Sequence, residues 1–308
     1  MANPGRHVLT LRDLSDDDVR TIVGRGAEFA SDLRAAESRL AGRVVGVYFR
    51  KTSTRTRTSF SAGAMRLGAQ VVSYGPDDLQ TNTGETTQDT ARVLGGMVDG
   101  LVMRTAGLRE EMDVFSRHCG AVVNAMSADE HPTQALADLT TLTVELGRVE
   151  GVRLLYVGEG NNTAAALALA LSRFPGTALE LRTPPGYGLD PGILAEARET
   201  AARTGASVAE RHDMADLPEQ VDAVYTTRWQ TTGTDKPDPD WRTAFAPFRV
   251  DRAVMRRCPG AGFMHDLPAH RGEEVTAEVL DGPDSIAFAQ AQHKLHSAMA
   301  VLEWCLGR

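Results

Sequence analysis

Lys51-Thr52-Ser53-Thr54-Arg55-Thr56-Arg57-Thr58 decides how this chain is read. Small hydroxyl residues alternate there with arginine. An apolar run precedes it (Val44, Val45, Val47, Tyr48, Phe49) and an amphipathic one follows (Phe60, Ala64, Met65, Leu67). The first run predicts a buried strand, and the second a short helix stopped by Gly68. The stretch thus feeds a helix N-terminus, where unpaired N–H groups and the positive dipole end favour an anion. Hydroxyls add donors, and arginine adds a planar fork matched to phosphate oxygens. A solvated basic turn has the same composition, but the strand–loop–helix context favours a phosphate cradle.

Outward from this stretch, strand and helix alternate. Leu14-Ser15-Asp16-Asp17-Asp18 reads as a Ser-capped helix start with acids in its first turn. Strands are predicted over 69–74, 100–103 (ending at Arg104) and 121–124, and helices over 86–98, 114–118 and 133–146. A joint falls at Gly147 to Gly151. A second series follows, with strands over 153–157, 178–182 and 223–226, helices over 163–173 and 191–204, and another strand end after Met255 to Met264. An amphipathic helix over 285–306 closes the chain. The expected fold is α/β, in two domains, each a mostly parallel sheet flanked by helices. The expected bounds are 1–147, 148–284 and a terminal helix, 285–308. The Pro-rich Thr234 to Trp241 stretch reads as a mobile loop over a cleft.

Composition narrows the function. A length of 308 residues, 42% hydrophobic and 24% charged, suits a two-domain globular protein. A net charge of −8 argues against general nucleic-acid binding and leaves the basic loop a local exception. No apolar run approaches membrane-span length, and the first residues lack a signal-peptide core. Three cysteines (Cys119, Cys258, Cys305) without a CxxC fit a cytoplasmic chain with neither a disulfide framework nor a zinc site.

In open α/β sheets ligands bind beyond the carboxyl ends of strands. Six polar groups fall at such ends: the Ser53–Arg57 loop, Arg104, His131-Pro132-Thr133-Gln134, Gly158 to Asn162, Thr227 to Gln230, and His265-Asp266-Leu267-Pro268. The Ser53 to Arg57 motif, with His131 to Gln134 and Arg104 between them, resembles the aspartate/ornithine carbamoyltransferase family. Leu79-Gln80, Gly84-Glu85-Thr86, Asp89 to Arg92, Tyr156-Val157-Gly158 with Asn161-Asn162, Thr183 to Tyr187 and Leu267 to Val275 are similar to its ornithine branch.

The resemblance implies a carbamoyl-phosphate domain first, an amino-acid domain second, and a terminal helix packing back on the first. It implies a homotrimer or higher homo-oligomer, with Gln80 lent by a neighbour. Ser53, Thr54, Arg55 and Thr56 would hold phosphate; Arg104, His131 and Gln134 would contact the carbamoyl group. Arg55, Arg104 and His131 are the expected catalytic groups. Asn162, Thr227, Arg228, Thr231, Thr232, Asp266, Leu267 and Lys294 would line the acceptor pocket. Neither metal nor cofactor is expected, and the partners are carbamoyl phosphate and an amino acid, with no nucleic acid or membrane.

The acceptor side departs from the ornithine branch. Where that branch has Cys-Leu-Pro after the histidine, this chain has Asp266-Leu267-Pro268; where it has Asp-x-Trp-x-Ser-Met-Gly, this chain has Thr227 to Gly233; where it has Asn-Arg, this chain has His293-Lys294. Thr227-Arg228-Trp229-Gln230 is similar to the aspartate branch's Thr-Arg-x-Gln. One carboxylate has gone at Thr227 and another has appeared at Asp266. The expected activity is carbamoyl transfer to an ornithine-like amino acid that need not be ornithine. Ordinary ornithine carbamoyltransferase activity, making citrulline, and a non-catalytic carbamoyl-phosphate-binding homologue are the alternatives. A nicotinamide enzyme is disfavoured, because Gly158-Glu159-Gly160-Asn161-Asn162-Thr163 lacks the third glycine and the following acid.

Overall fold

The computed structural model describes residues 5–36, 38–231 and 234–307. Its chain divides into two compact units, 1–140 with 293–308, and 141–292. These divisions fall inside two long helices and not at the expected 147/148 and 284/285, because each helix carries the chain from one unit into the other.

The first unit contains α1 (Asp16–Ser31), β1 (Val44–Phe49), α2 (Arg55–Arg66), β2 (Gln70–Tyr74), α3 (Thr87–Gly95), β3 (Gly100–Arg104), α4 (Glu110–Ser116) and β4 (Val122–Asn124). It also contains most of α5 (Pro132–Glu145). The strands form a parallel sheet in the order β2-β1-β3-β4. Ser15 caps α1 in a reciprocal capping box with Asp18. β3 and β4 are buried throughout, so they read as continuous apolar runs.

The second unit runs through β5 (Arg153–Val157), α6 (Asn162–Leu171), β6 (Ala178–Arg182), α7 (Pro191–Thr204), β7 (Ser207–Arg211) and β8 (Ala223–Thr226). It continues with α8 (Trp241–Phe245), α9 (Arg252–Arg257), β9 (Gly262–His265), α10 (Ala277–Leu280) and the start of α11 (Ala287–Leu306). Its sheet, also parallel, has the order β7-β6-β5-β8-β9. Every residue of α6 is buried, as an almost uniformly apolar helix requires.

From His293 onward, α11 belongs to the first unit. There Arg25 Nε donates to Glu303 (2.8 Å) and Trp304 Nε1 donates to Asp18 (3.2 Å). A Cβ on Gly63 would lie 3.0 Å from Met299, so α2 and α11 approach closely at that glycine. Among the described residues no helix is long and apolar enough to cross a membrane.

Topology selects where ligands can go. In the first sheet the chain steps outward from β1 to β2, then returns to place β3 on the other side of β1. In the second it steps from β5 through β6 to β7, then places β8 on the other side of β5. Crevices in such sheets open at these reversals, beyond the strands' carboxyl ends. The segments after β1 and β3, and those after β5 and β8, are therefore the candidate sites.

Candidate functional site

In the first unit, α2 starts at Arg55, so half of the quoted stretch forms a helical first turn. Thr54 occupies the N-cap but makes no side-chain capping bond, and the Thr58 N–H bonds back to Thr54 O at 3.1 Å. The helix thus starts without the usual side-chain acceptor, leaving its positive end suited to an anion. Ser53 and Arg55 are half-buried and Thr54 exposed. Thr56 is buried and lines a recess with Ser59, Phe60, His131, Thr133, Gln134, Lys294 and Ala298.

Arg104 ends β3, adjacent to β1 in the sheet, and is buried. One of its Nη atoms lies 3.4 Å from both Ala125 O and His131 Nε2. A guanidinium only donates, so His131 Nε2 accepts and its Nδ1 carries the proton, 3.4 Å from Thr133 Oγ1. Burial, then the charges of Arg104 and Lys294, hold the His131 pKa well below the ordinary imidazole range. The ring is neutral at physiological pH.

Gln134 completes this recess. Its Nε2 donates to Asp138 Oδ1 at 2.8 Å, one helical turn along α5. A carboxylate only accepts, so this bond fixes the amide's orientation. The other end, Oε1, is buried without a hydrogen-bond partner. An orphaned buried carbonyl costs ~1–3 kcal/mol and is satisfied by a ligand bearing an N–H. The recess accordingly combines positive charge, hydroxyls and one waiting acceptor.

Lys294, expected with the acceptor residues, lies in the first unit and lines this recess. It sits on the part of α11 that returns there, a placement that sequence spacing does not reveal. Gln80 is exposed, its Oε1 accepting from Thr83 Oγ1 (2.7 Å), and does not line the recess.

In the second unit the ends of β5, β8 and β9 are joined by side chains. Asp266, just past β9, accepts from Thr227 Oγ1 (2.9 Å) and Thr163 Oγ1 (3.1 Å), and its side chain is 15% exposed. His265 beside it is not its cation: Nδ1 accepts from Leu267 N (2.8 Å), so the proton is on Nε2, which faces Glu274 (3.2 Å). Leu267 adopts φ +53° at this corner. Asn161 caps α6 through Thr163 N and Ala164 N, which places buried Asn162 as the first helical residue. Thr231 Oγ1 accepts from Asn161 Nδ2 (3.0 Å). Arg228 is half-buried, with its Nε buried and unpartnered. Thr232 lies outside the described residues.

In the Thr234 to Trp241 segment, expected as a mobile loop, Lys236 and Trp241 make buried side-chain contacts. The Lys236 side chain is only 3% exposed and forms a salt bridge with Glu159. Trp241 is buried with Trp229 and Phe245 in an aromatic cluster, so Trp229 is a core residue. In the sequence Glu159 stands out only within the Gly158 to Asn162 strand-end group, and Thr163 and Lys236 are not expected at the site. An acid between two glycines after a strand was the available signal for the first; Thr163 was visible only as the missing glycine of a dinucleotide fingerprint.

His293 and His296, on the part of α11 that belongs to the first unit, are buried, with Nδ1 atoms 3.1 Å apart. Burial, then His293 and Arg66, lower the His296 pKa to about 4. Among the described residues, only His270, Glu273 and Glu274 group as possible metal ligands. Glu274 already accepts from His265 Nε2 and from the His270 N–H (2.5 Å), a structural use.

The family model described as the aspartate/ornithine carbamoyltransferase carbamoyl-P binding domain matches residues 6–144, and that of the Asp/Orn binding domain matches residues 150–305. An ornithine carbamoyltransferase of Thermococcus kodakarensis is 37% identical over 307 residues, covering 98% of this chain and 97% of that protein. The solved structure of ornithine carbamoyltransferase from Pyrococcus furiosus matches with a TM-score of 0.91 at 34% identity, over 99% of this chain and 98% of that one. That from Gloeobacter violaceus matches at 0.86 and 35%, over 99% of both.

Proposed function

We propose that this chain, which belongs to the aspartate/ornithine carbamoyltransferase family and is a carbamoyltransferase, moves the carbamoyl group of carbamoyl phosphate onto the side-chain amine of L-ornithine, giving citrulline and phosphate. Ornithine is preferred because the relatives bearing that name match nearly end to end. The observation that carries the donor half is the first unit's recess, where cationic and hydroxyl groups surround the orphaned Gln134 Oε1.

In this reading the phosphate rests on the N-terminus of α2, held by Ser53, Thr54, Arg55 and Thr56. The carbamoyl N–H donates to Gln134 Oε1. The acceptor's neutral amine attacks the carbamoyl carbon, and negative charge builds on the carbonyl oxygen. Arg104 and the protonated Nδ1 face of His131 are donors of the right kind for that charge; one such donor is worth about 3 kcal/mol. The carbon–oxygen bond to phosphate then breaks, the amine loses a proton, and Arg55 with Lys294 stabilises the departing phosphate charge. Holding both substrates supplies much of the remaining acceleration.

On the acceptor side, Asn162 is assigned to the α-carboxylate, and Asp266, with Thr227, Thr231, Thr232, Arg228 and Leu267 around it, to a cationic group of the amino acid other than the attacking nitrogen. A second reading, an ornithine-like diamino acid other than ornithine, is favoured by one observation: the pocket's carboxylate, Asp266, stands past β9 and is held by the Thr227 hydroxyl past β8. A homotrimer is part of the proposal. Exposed Met65, Val72, Val93, Met97 and Leu108, all in the first unit, support self-association, with Gln80 lent to a neighbouring subunit. Three buried free cysteines fit a cytoplasmic setting.

The test is phosphate release from carbamoyl phosphate across a panel of amino acids, with ureido products identified by mass. Fastest turnover with L-ornithine is expected. Faster turnover of a shorter, longer or modified diamino acid would establish the second reading instead.

A further inference from the structure

Lys236 Nζ lies 4.9 Å from the ring centre of Tyr187, 5.0 Å from that of Phe245 and 5.4 Å from that of Trp241. Its remaining side is closed by the Glu159 carboxylate. Each ring is within the range at which its negative face attracts a cation, and the carboxylate supplies the neutralising charge. The box is itself rigid: Trp241 packs edge-on to Phe245 (5.3 Å, 87°), and Tyr187 packs against Phe245 at 4.8 Å.

The consequence runs beyond the box. Glu159 Oε1 takes the ammonium and Oε2 accepts from Thr231 Oγ1 at 3.3 Å. That same Thr231 oxygen receives Asn161 Nδ2, and Asn161 Oδ1 caps Thr163 N and Ala164 N at the start of α6. The Gly160 N–H donates to Tyr187 O (2.8 Å), and a Cβ on Gly160 would lie 2.2 Å from Leu189 N, so the loop after β5 lies directly against the chain that carries one wall of the box. Lys236 thus ties the segment after β8 to the loop after β5 through a charge pair with Glu159. Thr227 and Thr163, which hold Asp266, stand on those two segments.

We propose that Lys236 is a positioning residue for the acceptor: its caged ammonium fixes Glu159, and through Thr231 and Asn161 sets the first turn of α6 on which Asn162 and Thr163 stand. The inference rests on the acceptor assignment above. Removing the ammonium without shrinking the side chain leaves the box filled but Glu159 uncompensated, so the acceptor face loosens while the first unit is untouched.

Lys236→Met, Lys236→Arg, Glu159→Gln and the double variant K236M/E159Q test this, using the amino acid that the wild-type enzyme carbamoylates best. K236M is expected to raise the acceptor KM about tenfold or more and to leave the carbamoyl phosphate KM within about twofold. K236R, which keeps the charge and stacks on rings, recovers most of the loss. The double variant is no worse than the worse single one, because both remove the same link. An acceptor KM within twofold of wild type in K236M, an equal rise in both KM values, no recovery in K236R, or additive losses would each overturn the proposal. Should K236M not fold, E159Q and K236R carry the same comparison. If the wild-type enzyme carbamoylates no amino acid, the acceptor assignment fails by itself. Hydrogen exchange then decides the inference: faster exchange of the Thr163 and Ala164 amides in E159Q is expected, and unchanged exchange there contradicts it.

Discussion

The two units place side chains at the same topological position with opposite chemistry. Past β1 and β3 in the first unit stand Arg55, Arg104 and an uncapped helix start, with His131 held neutral beside them. Past β5, β8 and β9 in the second stand Asn162, three threonine hydroxyls and the carboxylate of Asp266. α6 differs from α2 at its cap: Asn161 supplies α6 with the side-chain acceptor that Thr54 withholds from α2. On the proposed assignment, one parallel-sheet plan serves an anion in one unit and an amino acid's cation in the other, and the helix cap and the charge at the strand end distinguish them. Arg182 gives the contrast within the second unit. It also ends a strand, but it is fully buried and saturated by Glu180, Asp213 and the carbonyls of Asp213, Ala215 and Asp216. A strand-end arginine whose donors are all taken is structural.

The contrast can be broken most strongly at Asp266. Asp266→Asn keeps an acceptor for Thr227 and offers a donor to Thr163, so shape and hydrogen bonds survive and only the charge goes. Acceptor kcat/KM is expected to fall about 10–100-fold, as loss of a charged hydrogen bond worth ~1.5–3 kcal/mol implies. Carbamoyl phosphate affinity should be unchanged, as read by titration of the donor alone. Loss of donor affinity would mean that the two sites are not separable as described.

How much of this was legible in the sequence follows from what each element buries. β1, β5, β6, β8 and α7 stand at the read bounds, because apolar runs or a Pro-started pattern are bracketed by turn residues. β7 was missed: its only buried residue is Val208, so an edge strand leaves no apolar run. α4 starts at Glu110, before the predicted 114, because its acidic first turn masks the buried pair Met112 and Phe115. The donor-side motifs were legible because they are contiguous. The Lys236 box was not, since Tyr187 and Glu159 lie far from it along the chain. The place of Lys294 in the recess is hidden in the sequence for a related reason, because α11 passes from one unit to the other before reaching it.

A smaller effect sharpens the contrast through pH. His131 and His296 both lie in the first unit, with pKa values depressed below the ordinary histidine value. Well above pH 6.5 both are neutral folded and unfolded and contribute no pH dependence. As pH falls below 6.5 the unfolded chain takes up protons that the fold refuses, so stability drops, and for His296 the loss levels off near its folded value of about 4. Thermal melts of His296→Gln should show a shallower fall between pH 6.5 and 4, by at most ~1.4 kcal/mol per pH unit. Identical slopes in the variant and the wild-type protein would contradict the assignment.

In the proposed donor site the cradle that precedes and begins α2 holds the phosphate, and Arg55 is its central charge. Titration of carbamoyl phosphate into wild-type protein and into Arg55→Ala, followed by calorimetry without any acceptor, tests it directly. A loss of about 10–100-fold in affinity, the worth of a charge-assisted phosphate contact, is predicted. Equal affinity in the two proteins would contradict it.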